Sequence, residues 1–484
     1  MLDPFRDNLI TESLSCYSIL KTIGKIADKY DIGVFVVGGF VRDLILERDN
    51  YDIDVLCLKD IFFLANKVAE SVSADGFTIY NNFGVAMIKI GSIQLEFVNA
   101  RKESYDFNSR KPSVEPGTFD DDQKRRDFTI NTLAIGLNSY NFGEFIDTFG
   151  GFNDLKNGVI KTPVDPNITF SDDPLRMFRA IRFATQLNFT IEETTFLGII
   201  NNVGRVNILS KERIRDELNK IIMSKIPSIG FNLLSKSGLL SLIMPDIEAL
   251  KGKIHIGSFS HKDVFIHTLQ VLDNVAIKSD NIWLRWTALL HDIAKPKTRR
   301  FDNIHGFSFH GHDELGARMV KGIFYDLHLP KEKIKYVEKL IRLHLRPIVI
   351  ASDVVTDSAI RRLAFDAGED FNDLMLLCRA DITSHNPVKI NEFLNNFDRV
   401  ENKVKYILEK DYIRNLQPVI TGEIIMKELN LKPSPLVGTI KNKLKEAVLN
   451  GLVENEYDKL HQYMLEVLTT MNLNVPINDS EEKL

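Results

Sequence analysis

The order of apolar and polar positions separates a mixed N-terminal part from a helical remainder. Apolar residues at helical spacing predict helices, and short β-rich or alternating runs predict strands. The predicted elements are helices over 14–30 and 40–46 and strands over 33–37, 51–58, 85–90 and 93–98. From about Pro174, long amphipathic helical patterns continue to the end of the chain. The pattern predicts an α+β fold in which a head with a mixed sheet is followed by helical regions.

Changes in this pattern also predict four regions. They are a mixed α/β head (1–160), a helical neck (161–225), a region in which histidines concentrate (226–385) and a helical tail (386–484). A chain of 484 residues is well beyond the size at which a single core usually stops growing, which agrees with several domains.

The composition is that of a soluble globular protein, with 44% hydrophobic and 26% charged residues. The net charge of -5 excludes a molecule that is basic overall, although an RNA-binding enzyme needs only a local basic face. Three widely spaced cysteines form neither a zinc pattern nor a disulfide framework, which indicates a reducing compartment. The sequence shows no signal peptide and no apolar run near the roughly 20 residues of a membrane span. We therefore expect a cytoplasmic protein that does not enter a membrane.

Asp52 and Asp54 are the first candidates for catalysis. They are alternate residues of a predicted strand, so both carboxylates face the same side. Such a pair can share Mg²⁺ ions, and two ions roughly 3.5–4 Å apart can activate a hydroxyl and stabilise a leaving pyrophosphate. For an isolated Asp-x-Asp, however, an exposed polar strand face is the more common explanation. Glu96, on a neighbouring predicted strand, is either a third metal ligand or a solvated strand residue.

The segment before this pair makes the prediction of a nucleotide-binding site more specific. Gly38-Gly39 follows a strand and opens a helix, so the backbone can approach a phosphate. Arg42 can add a charge-assisted contact. A lone Gly-Gly is usually only a turn, but Gly-Gly-x-x-Arg-Asp followed by Asp-x-Asp is far more specific. This combination predicts that Asp52 and Asp54 are the catalytic metal ligands of a nucleotidyltransferase.

Two later segments supply further nucleotide-binding candidates. Arg126 can hold a triphosphate, and Asp127 or Asn131 can bond to a ribose hydroxyl. Asp173 and Arg176 are three residues apart and would share one face of a helix. They either form an ordinary ion pair or read the polar edge of a base. The arginines predicted to extend this basic face are Arg179 and Arg182.

Together these segments resemble the class II tRNA nucleotidyltransferase and poly(A) polymerase family over residues 14–225. The matching segments, in order, are 38–43 with 52–54, 125–131, 147–155, 172–176 with 179–183, and 213–217. The resemblance implies a polymerase-β-like nucleotidyltransferase head and a helical neck. It also implies addition of C, C and A to tRNA 3′ ends from CTP and ATP without a nucleic-acid template.

The family pattern also assigns base selection. Residues that match Asp173 and Arg176 select C or A by hydrogen bonds and reject G and U. Asp172 departs from the pattern, because the family usually has Glu at this position, and the change could loosen base selection. Residues 101–122 match the flexible loop that complete CCA-adding enzymes carry and CC-only enzymes shorten. The resemblance therefore favours full CCA addition, with poly(A) polymerase as the alternative.

A second set of metal-ligand candidates lies in the histidine-containing region. An adjacent His-Asp pair, with an earlier His and a later Asp, supplies mixed nitrogen and oxygen ligands for a divalent ion. The candidates are His267, His291, Asp292 and Asp381, with His312 and His344 for a second ion. The set resembles the HD superfamily of metal-dependent phosphohydrolases, and the basic segment 294–299 could bind phosphate. This implies phosphatase or cyclic phosphodiesterase action on RNA ends, unless the domain is purely structural. Six further histidines, His255, His261, His305, His310, His328 and His385, are expected to be ordinary surface or loop residues.

RNA contact is predicted for residues 205–225, which carry six basic side chains against three acidic ones. Phosphate and shape recognition of an RNA duplex needs such a strip. The candidate RNA-binding residues are Arg205, Lys211, Arg213 and Arg215. For any single one of them, a solvated helix face is the simpler explanation. The expected partners are tRNA, CTP and ATP. A further alternative is an RNA-end hydrolase whose head serves only for binding.

Overall fold

The structure is a computed structural model that describes residues 14, 16–81, 84–104, 113–257, 259–352, 356–384, 386–411 and 417–471. It divides into two compact units, residues 1–249 with 326–329 and residues 250–325 with 330–484. None of the helices within the described ranges combines the length and the apolar character that crossing a lipid bilayer requires.

The first unit begins with a mixed head. Its elements are α1 (Tyr17–Lys29), β1 (Val34–Val37), α2 (Gly39–Ile45), β2 (Asp52–Cys57), α3 (Ile61–Val72), β3 (Gly76–Tyr80), β4 (Val85–Ile90), β5 (Ile93–Asn99), β6 (Arg101–Ser104), β7 (Ser113–Pro116), α4 (Phe119–Lys124), β8 (Ala134–Gly136), β9 (Phe145–Ile146), α5 (Gly151–Asn157) and β10 (Val159–Ile160). The six elements predicted from the sequence in this part all occur, with ends that shift by up to three residues.

A seven-stranded mixed sheet forms the head, in the order β3-β4-β5-β2-β1-β8-β9. Neighbouring strands run antiparallel except β2 and β5, which are parallel. In this register, Asp54 of β2 lies opposite Val37 of β1 and opposite Glu96 of β5. Residues paired across strands point to the same face of a sheet. Asp54 and Glu96 therefore project from the same face.

An apolar cluster supports that face. Its buried members are Phe35, Val37, Leu56, Ala100 and Ala134. Burying one such large apolar side chain contributes about 1.5–3 kcal/mol relative to leaving it exposed. The cluster joins β1, β2 and β8, so it fixes the strands that carry the candidate catalytic residues. Separately, α1 packs against α3, and α3 packs against β3, β4 and β5.

The segment predicted to match the flexible loop contains an antiparallel hairpin, in which β6 pairs with β7. Residues 105–112, between the two strands, lie outside the described residues. After the hairpin, Thr118 caps α4 through a reciprocal capping box with Asp121, whose side chain accepts the Thr118 N–H at 3.0 Å. This cap fixes the start of the helix that leads to the predicted triphosphate-binding arginines.

The predicted neck, residues 161–225, contains α6 (Pro166–Asp172), α7 (Leu175–Leu187), β11 (Thr190–Ile191), α8 (Glu193–Asn202) and α9 (Lys211–Ile222). The first unit continues beyond it with α10 (Pro227–Lys236), α11 (Leu239–Ile243) and α12 (Pro245–Glu248). Helix α7 packs against α9 and α10. Arg182 of α7 and Glu217 of α9 form an ion pair of 3.0 Å in this packing, and both side chains are less than a tenth exposed. Arg182, which was predicted to extend the basic face beside Arg179, has its guanidinium enclosed between these two helices and paired with Glu217.

Glu217→Ala should lower the free energy of unfolding by about 3 kcal/mol, because it leaves the Arg182 guanidinium buried without its counter-ion. Urea unfolding of the full chain and hydrogen exchange of the α7 and α9 amides measure this loss. Glu193→Ala, at an exposed position of α8, should change the stability by less than about 0.5 kcal/mol. A loss below about 1 kcal/mol for Glu217→Ala would contradict the assignment of this pair as a buried ion pair.

The second unit is mainly helical. Its elements are β12 (Ile254–Ile256), β13 (Phe259–His261), α13 (Val264–Lys278), α14 (Ile282–Leu290), α15 (Lys295–Thr298), β14 (Arg300–Asp302), β15 (Gly306–Ser308), α16 (His312–Asp326), α17 (Ile334–Leu343), α18 (Arg346–Ser352), α19 (Asp357–Ala367), α20 (Phe371–Ala380), α21 (Pro387–Asp411), α22 (Gly422–Glu428), α23 (Pro435–Leu449) and α24 (Tyr457–Thr470). Helix α14 packs against α13, α17 and α20, and a separate apolar cluster joins α22, α23 and α24. The predicted α+β architecture, a mixed head followed by helical regions, is confirmed.

Candidate active site and metal centre

Three carboxylates lie side by side on the face of the head sheet. Asp52 and Asp54 flank the buried Ile53 on β2, and Glu96 of β5 is in register with Asp54. Burial raises the pKa of Asp54, and Asp52 adds to the rise, whereas Arg126 opposes it. Burial, Asp54 and Asp52 likewise raise the pKa of Glu96. Crowded carboxylates that repel one another form a donor set that suits a hard divalent cation.

The three carboxylates do not form a closed cage. Within the described residues, two groups of three ligand atoms lie within 4.8 Å of one another, and both are in the second unit. An open arrangement agrees with Mg²⁺, which is usually bound by one or two carboxylates together with waters and substrate phosphates. The head residues thus fit an ion that shares its ligands with a nucleotide.

The Gly38–Gly39 turn lies directly beside these carboxylates. Gly38 has a positive φ of 76°, in the left-handed region that favours glycine. A Cβ atom at this position would lie 3.0 Å from Nη1 of Arg126 and 3.2 Å from Oδ2 of Asp54. Arg126 is itself held by Asp122, which accepts from Nε and Nη2 at 3.1 and 2.9 Å. The turn, a guanidinium and a metal-ligand candidate therefore meet at one place.

A hydrogen-bond network joins the other predicted nucleotide-binding residues. Arg42 donates to Asn131 at 2.9 Å, and Asn131 donates to Asp127 at 2.9 Å. Arg179 donates to the other oxygen of Asp127 at 2.7 Å. Burial would raise the pKa of Asp127, but Arg179 and Asn131 lower it to about 2. Arg42 is buried, and it also holds Asp43. These residues fix one another in place, which favours a rigid site.

Asp173 and Arg176 do not form the ion pair that their spacing allowed. Asp173 lies between α6 and α7, where Oδ1 accepts from the Leu175 N–H at 3.1 Å and Oδ2 contacts Arg213 at 3.3 Å. Arg176 instead donates to the backbone carbonyl of Arg125 at 2.6 Å. The carboxylate and the guanidinium are therefore held by separate partners and are not paired with each other.

The predicted RNA-binding residues are placed around α9. Lys211 is exposed at its first turn, Arg213 contacts Asp173, and Arg215 contacts Asp216 at 2.8 Å. Arg205 is half-buried and acts electrostatically on Asp172, whose pKa is raised by burial and lowered by Arg176 and Arg205. Arg213 and Arg205 therefore interact with Asp173 and Asp172 of the candidate base-reading segment. The run of basic residues in the sequence did not indicate these two interactions.

The second unit brings together all six predicted metal-ligand candidates. One group contains His267, His291 and Asp381, and the other contains Asp292, His312 and His344. Asp292 is close to both groups, since its Oδ2 lies 3.4 Å from Nε2 of His267 and its Oδ1 lies 3.3 Å from Nε2 of His312. His267 Nε2 also lies 2.9 Å from Oδ1 of Asp381. The donor set is mixed nitrogen and oxygen, which suits a first-row divalent ion.

The second ring nitrogen of each histidine is occupied. Nδ1 bonds to a backbone carbonyl in His291, His312 and His344, at 2.8, 2.8 and 2.5 Å, and to the Thr383 hydroxyl in His267 at 2.9 Å. A carbonyl can only accept, so Nδ1 of His291, His312 and His344 donates, and in the neutral ring Nε2 then carries the lone pair that a metal ion needs. Burial and His291 lower the pKa of His344 to about 4, which keeps that ring neutral.

Buried atoms without a partner point to an ion. Nε2 of His291, His312 and His344 and Oδ1 of Asp292 form no well-aligned hydrogen bond within the described residues, although Asp292 Oδ1 and His312 Nε2 are 3.3 Å apart. Each side chain is less than a tenth exposed. Unsatisfied buried polar atoms are costly, and four at one place are rare in a stable protein. The residues present fit one or two divalent ions.

Lys295 and His261 also lie beside this group. The sequence indicated Lys295 only as part of a segment that could bind phosphate, and it did not indicate His261. Lys295 Nζ lies 2.5 Å from Oδ2 of Asp292. The ring of half-buried His261 lies 4.5 Å from that of Phe309, and His261 interacts electrostatically with Lys295, Asp292 and His267. His261, expected to be an ordinary surface or loop residue, is instead half-buried at the end of β13, while His385 lies outside the described residues. No sequence signal marked His261, since only the fold brings it to this group.

Three family models match the chain in order. They are the poly A polymerase head domain over residues 34–161, the probable RNA and SrmB-binding site of polymerase A over 188–251, and the HD domain over 264–386. Each match covers a region that contains candidate residues described above.

Known proteins resemble the chain along most of its length. An A-adding tRNA nucleotidyltransferase of Deinococcus radiodurans is 31% identical over 431 residues, covering 87% of this chain and 92% of the relative. A CCA-adding enzyme of Lactobacillus delbrueckii subsp. bulgaricus is 28% identical, covering 89% and 93%. A solved structure of a CCA-adding enzyme, 23% identical, superposes with a TM-score of 0.65 and covers 95% of this chain and 98% of that one. The head and these relatives define an enzyme of the nucleotidyltransferase class.

More narrowly, the chain belongs to the class II tRNA nucleotidyltransferase and poly(A) polymerase family, and it carries a C-terminal HD domain. The resemblance drawn from the motifs is thereby confirmed.

Proposed function

We propose that this enzyme adds C, C and A to tRNA 3′ ends from CTP and ATP without a nucleic-acid template. The observation that carries the proposal is one continuous arrangement in the head and neck. Asp52, Asp54 and Glu96 lie beside the Gly38 turn and Arg126. Arg125, the residue before Arg126, bonds through its carbonyl to Arg176 of the candidate base-reading pair.

The carboxylates would hold Mg²⁺, with Asp52 and Asp54 as the main ligands and Glu96 as a further one. Bound Mg²⁺ supplies activation of the RNA 3′ hydroxyl for attack on the α-phosphate, and charge neutralisation of the pyrophosphate that leaves. The chain's own contribution is placement. Gly38 lets the backbone approach the triphosphate, Arg126 contacts it, and the network through Asp127 and Arg179 keeps these groups rigid.

Base selection follows from donors and acceptors. Cytosine and adenine each present an amino group next to a ring nitrogen acceptor on the pairing edge. The Asp173 carboxylate accepts from the amino group, and the Arg176 guanidinium donates to the ring nitrogen. Guanine and uracil present a carbonyl and a ring N–H at these positions, so both protein groups would remain unpaired. Leaving polar groups of a site unpaired is a strong basis for rejection.

Arg213→Met should reduce the preference for CTP and ATP over UTP and GTP by about tenfold, the effect of one lost charged hydrogen bond. Arg213 contacts the Asp173 oxygen at 3.3 Å, so its loss lets that carboxylate turn away from the base. Single-nucleotide incorporation with each of the four triphosphates measures the preference. Arg215→Met is the matched control, because Arg215 is on the same helix but contacts Asp216. Equal selectivity in both variants would show that Arg213 does not orient Asp173.

RNA binding is assigned to the neck. We place the acceptor end of tRNA along Arg205, Lys211, Arg213 and Arg215, beside the candidate base-reading segment. Lys211 is exposed and available to a phosphate, and phosphate contacts contribute most of the salt-dependent affinity for RNA.

Addition of A alone is the second candidate. The Deinococcus radiodurans relative, at 31% identity, is an A-adding tRNA nucleotidyltransferase, so this function is favoured by a specific similarity. The presence of the 101–122 segment argues against a CC-only enzyme, but it does not separate A addition from CCA addition.

One assay separates these functions. Three tRNA transcripts, lacking CCA, lacking CA and lacking only A, are incubated with CTP alone, ATP alone and both, in the presence of Mg²⁺. Full CCA addition predicts that the first transcript gains three nucleotides only when both triphosphates are present. Extension of the third transcript alone would establish an A-adding enzyme. Long A tails on unrelated RNA without CTP would establish a poly(A) polymerase, and no extension of any RNA would leave binding as the role of the head.

The HD domain is proposed to be a second, metal-dependent phosphohydrolase centre that acts on RNA ends or nucleotides. Its support is the set of four buried ligand atoms without partners, together with Lys295 beside Asp292. A bound divalent ion supplies an activated water and polarises a phosphoryl oxygen. Lys295 would neutralise a phosphate that approaches, and His267, His291 and Asp381 would hold the ion.

A further inference from the structure

Asn50 connects two parts of the head that nucleotidyl transfer needs, although it belongs to neither motif. Its Oδ1 accepts a hydrogen bond from the backbone N–H of Asp52 at 2.9 Å. Its Nδ2 donates to Oδ2 of Asp43 at 2.8 Å. One side chain therefore joins the start of β2 to the helix that follows the Gly38–Gly39 turn.

The bond to Asp52 replaces a missing strand partner. Strand β1 pairs with β2 only as far as Asp54, so no β1 residue lies opposite Asp52. On the other side, the Gln94 N–H of β5 donates to the Tyr51 carbonyl at 2.8 Å. The carbonyl and the N–H of one strand peptide point in opposite directions, so the Asp52 N–H faces the side where β1 has ended. Asn50 occupies that side.

The bond to Asp43 anchors Asn50 in a rigid part of the head. Arg42 holds Asp43 through two hydrogen bonds of 2.9 and 2.8 Å, and these side chains are only 10% and 13% exposed. Arg42 also donates to Asn131 of the buried network. A Cβ atom at Gly39 would lie 3.7 Å from Nη2 of Arg42 and 3.9 Å from Nδ2 of Asn50. The Asn50 amide and the Arg42 guanidinium therefore both lie beside the Gly38–Gly39 turn.

We propose that Asn50 is a positioning residue for nucleotidyl transfer, which holds Asp52 at a fixed place relative to the Gly38–Gly39 turn. Asp52 and Asp54, which would hold the metal ions, are thereby kept beside the turn that would receive the triphosphate. This inference rests on the proposed function of the head. Asn50 acts through Asp52, so its loss weakens metal binding and turnover and leaves base selection unchanged.

Two variants separate the two bonds of Asn50. Asn50→Ala removes both, whereas Asn50→Asp keeps the acceptor for Asp52 and loses the donor to Asp43. Asn66→Ala is the matched control, because Asn66 is an exposed head asparagine whose amide donates to Glu70 at 2.9 Å. The measurements are the Mg²⁺ concentration for half-maximal nucleotide addition, the KM for tRNA and the selectivity for CTP and ATP.

Asn50→Ala should raise the half-maximal Mg²⁺ concentration by about tenfold, the usual scale for losing a group that orients a metal ligand. The KM for tRNA and the selectivity should stay unchanged. In Asn50→Asp the half-maximal Mg²⁺ concentration should rise by no more than half as much on a logarithmic scale. In Asn66→Ala it should equal that of the parent. Unchanged Mg²⁺ dependence in Asn50→Ala, or an Asn50→Asp variant as impaired as Asn50→Ala, would overturn the proposal.

A binding measurement keeps the proposal separate from the proposed function. Mn²⁺ binding to the full chain is followed by electron paramagnetic resonance, with His291→Ala and Asp292→Ala removing the HD site. Asn50→Ala should weaken Mn²⁺ affinity by about tenfold. If the parent adds no nucleotide to tRNA, the proposed function fails while this titration still decides the role of Asn50. Equal Mn²⁺ affinity in the parent and in folded Asn50→Ala would contradict it. If Asn50→Ala does not fold, the Mn²⁺ affinity of Asn50→Ser is compared with that of the parent. The serine hydroxyl can still accept from the Asp52 N–H.

Discussion

Asp54→Asn should slow nucleotide addition by at least about 10³-fold, or ~4 kcal/mol of transition-state stabilisation. Asp54 is the carboxylate at the centre of the head site, opposite Glu96 and beside the Gly38 turn. Its amide replacement cannot supply the anionic ligand on which both activation of the attacking hydroxyl and neutralisation of pyrophosphate depend. The rate of addition of one nucleotide to a tRNA transcript at saturating Mg²⁺ measures the loss.

The same substitution should not destabilise the fold. Burial and Asp52 both raise the pKa of Asp54, which means that the folded head disfavours its charged form. An uncharged side chain of equal size is therefore expected to leave the melting temperature unchanged or slightly higher. Asp31→Asn, at a fully exposed carboxylate of the same head, serves as the control and should keep full activity. More than a tenth of the parent rate in Asp54→Asn would contradict its role as a metal ligand.

The double variant His291→Ala, Asp292→Ala should lose the divalent ions of the HD domain and any hydrolysis of phosphate esters, and keep nucleotide addition within about twofold. Both residues are buried, and Asp292 is the carboxylate close to both ligand groups. Removing two of the six candidate ligands, one from each group of three, is expected to abolish binding of the ions. Metal content by mass spectrometry and hydrolysis of a 2′,3′-cyclic nucleotide measure the two losses.

His305→Ala is the control for this pair of changes, since His305 is exposed and should leave metal content intact. Because the double variant removes buried charge, its folding is checked by hydrogen exchange of α13, α14 and α20. Retained metal in the folded double variant would contradict the assignment of the site. Loss of hydrolysis together with loss of nucleotide addition would show that the two activities are not independent.

The head could be predicted from its sequence because its chemistry and its pattern coincide. Asp52 and Asp54 alternate on a strand whose other residues are buried. Position 38 has a positive φ, which favours glycine there. The six HD candidates could be predicted as a set that the fold brings together, since four of them sit at or next to helix ends that the apolar patterns define.

Other features left no local signal. Helix α3 begins after Asp60, a common N-cap residue that here has a left-handed φ and forms no side-chain cap, and it ends before Ser73, which has a left-handed φ where glycine is usual. Strand β3 is largely exposed at the edge of the sheet and shows no alternation. The partners of Asp173 and Arg182 come from distant segments, namely Arg213 and Glu217, and no spacing rule identifies such pairs. These contacts depend on tertiary packing and can be read only from the structure.

The adjacency of Arg125 and Arg126 has a consequence for fidelity. The carbonyl of one is held by Arg176, and the guanidinium of the other lies at the Gly38 turn beside Asp54. In the proposed function, a base that fits poorly against Arg176 would disturb the same short stretch of backbone that would aim Arg126 at the phosphates. We expect a wrong nucleotide to bind and yet react slowly, so that errors are suppressed at the chemical step and discrimination appears in kcat as well as in KM.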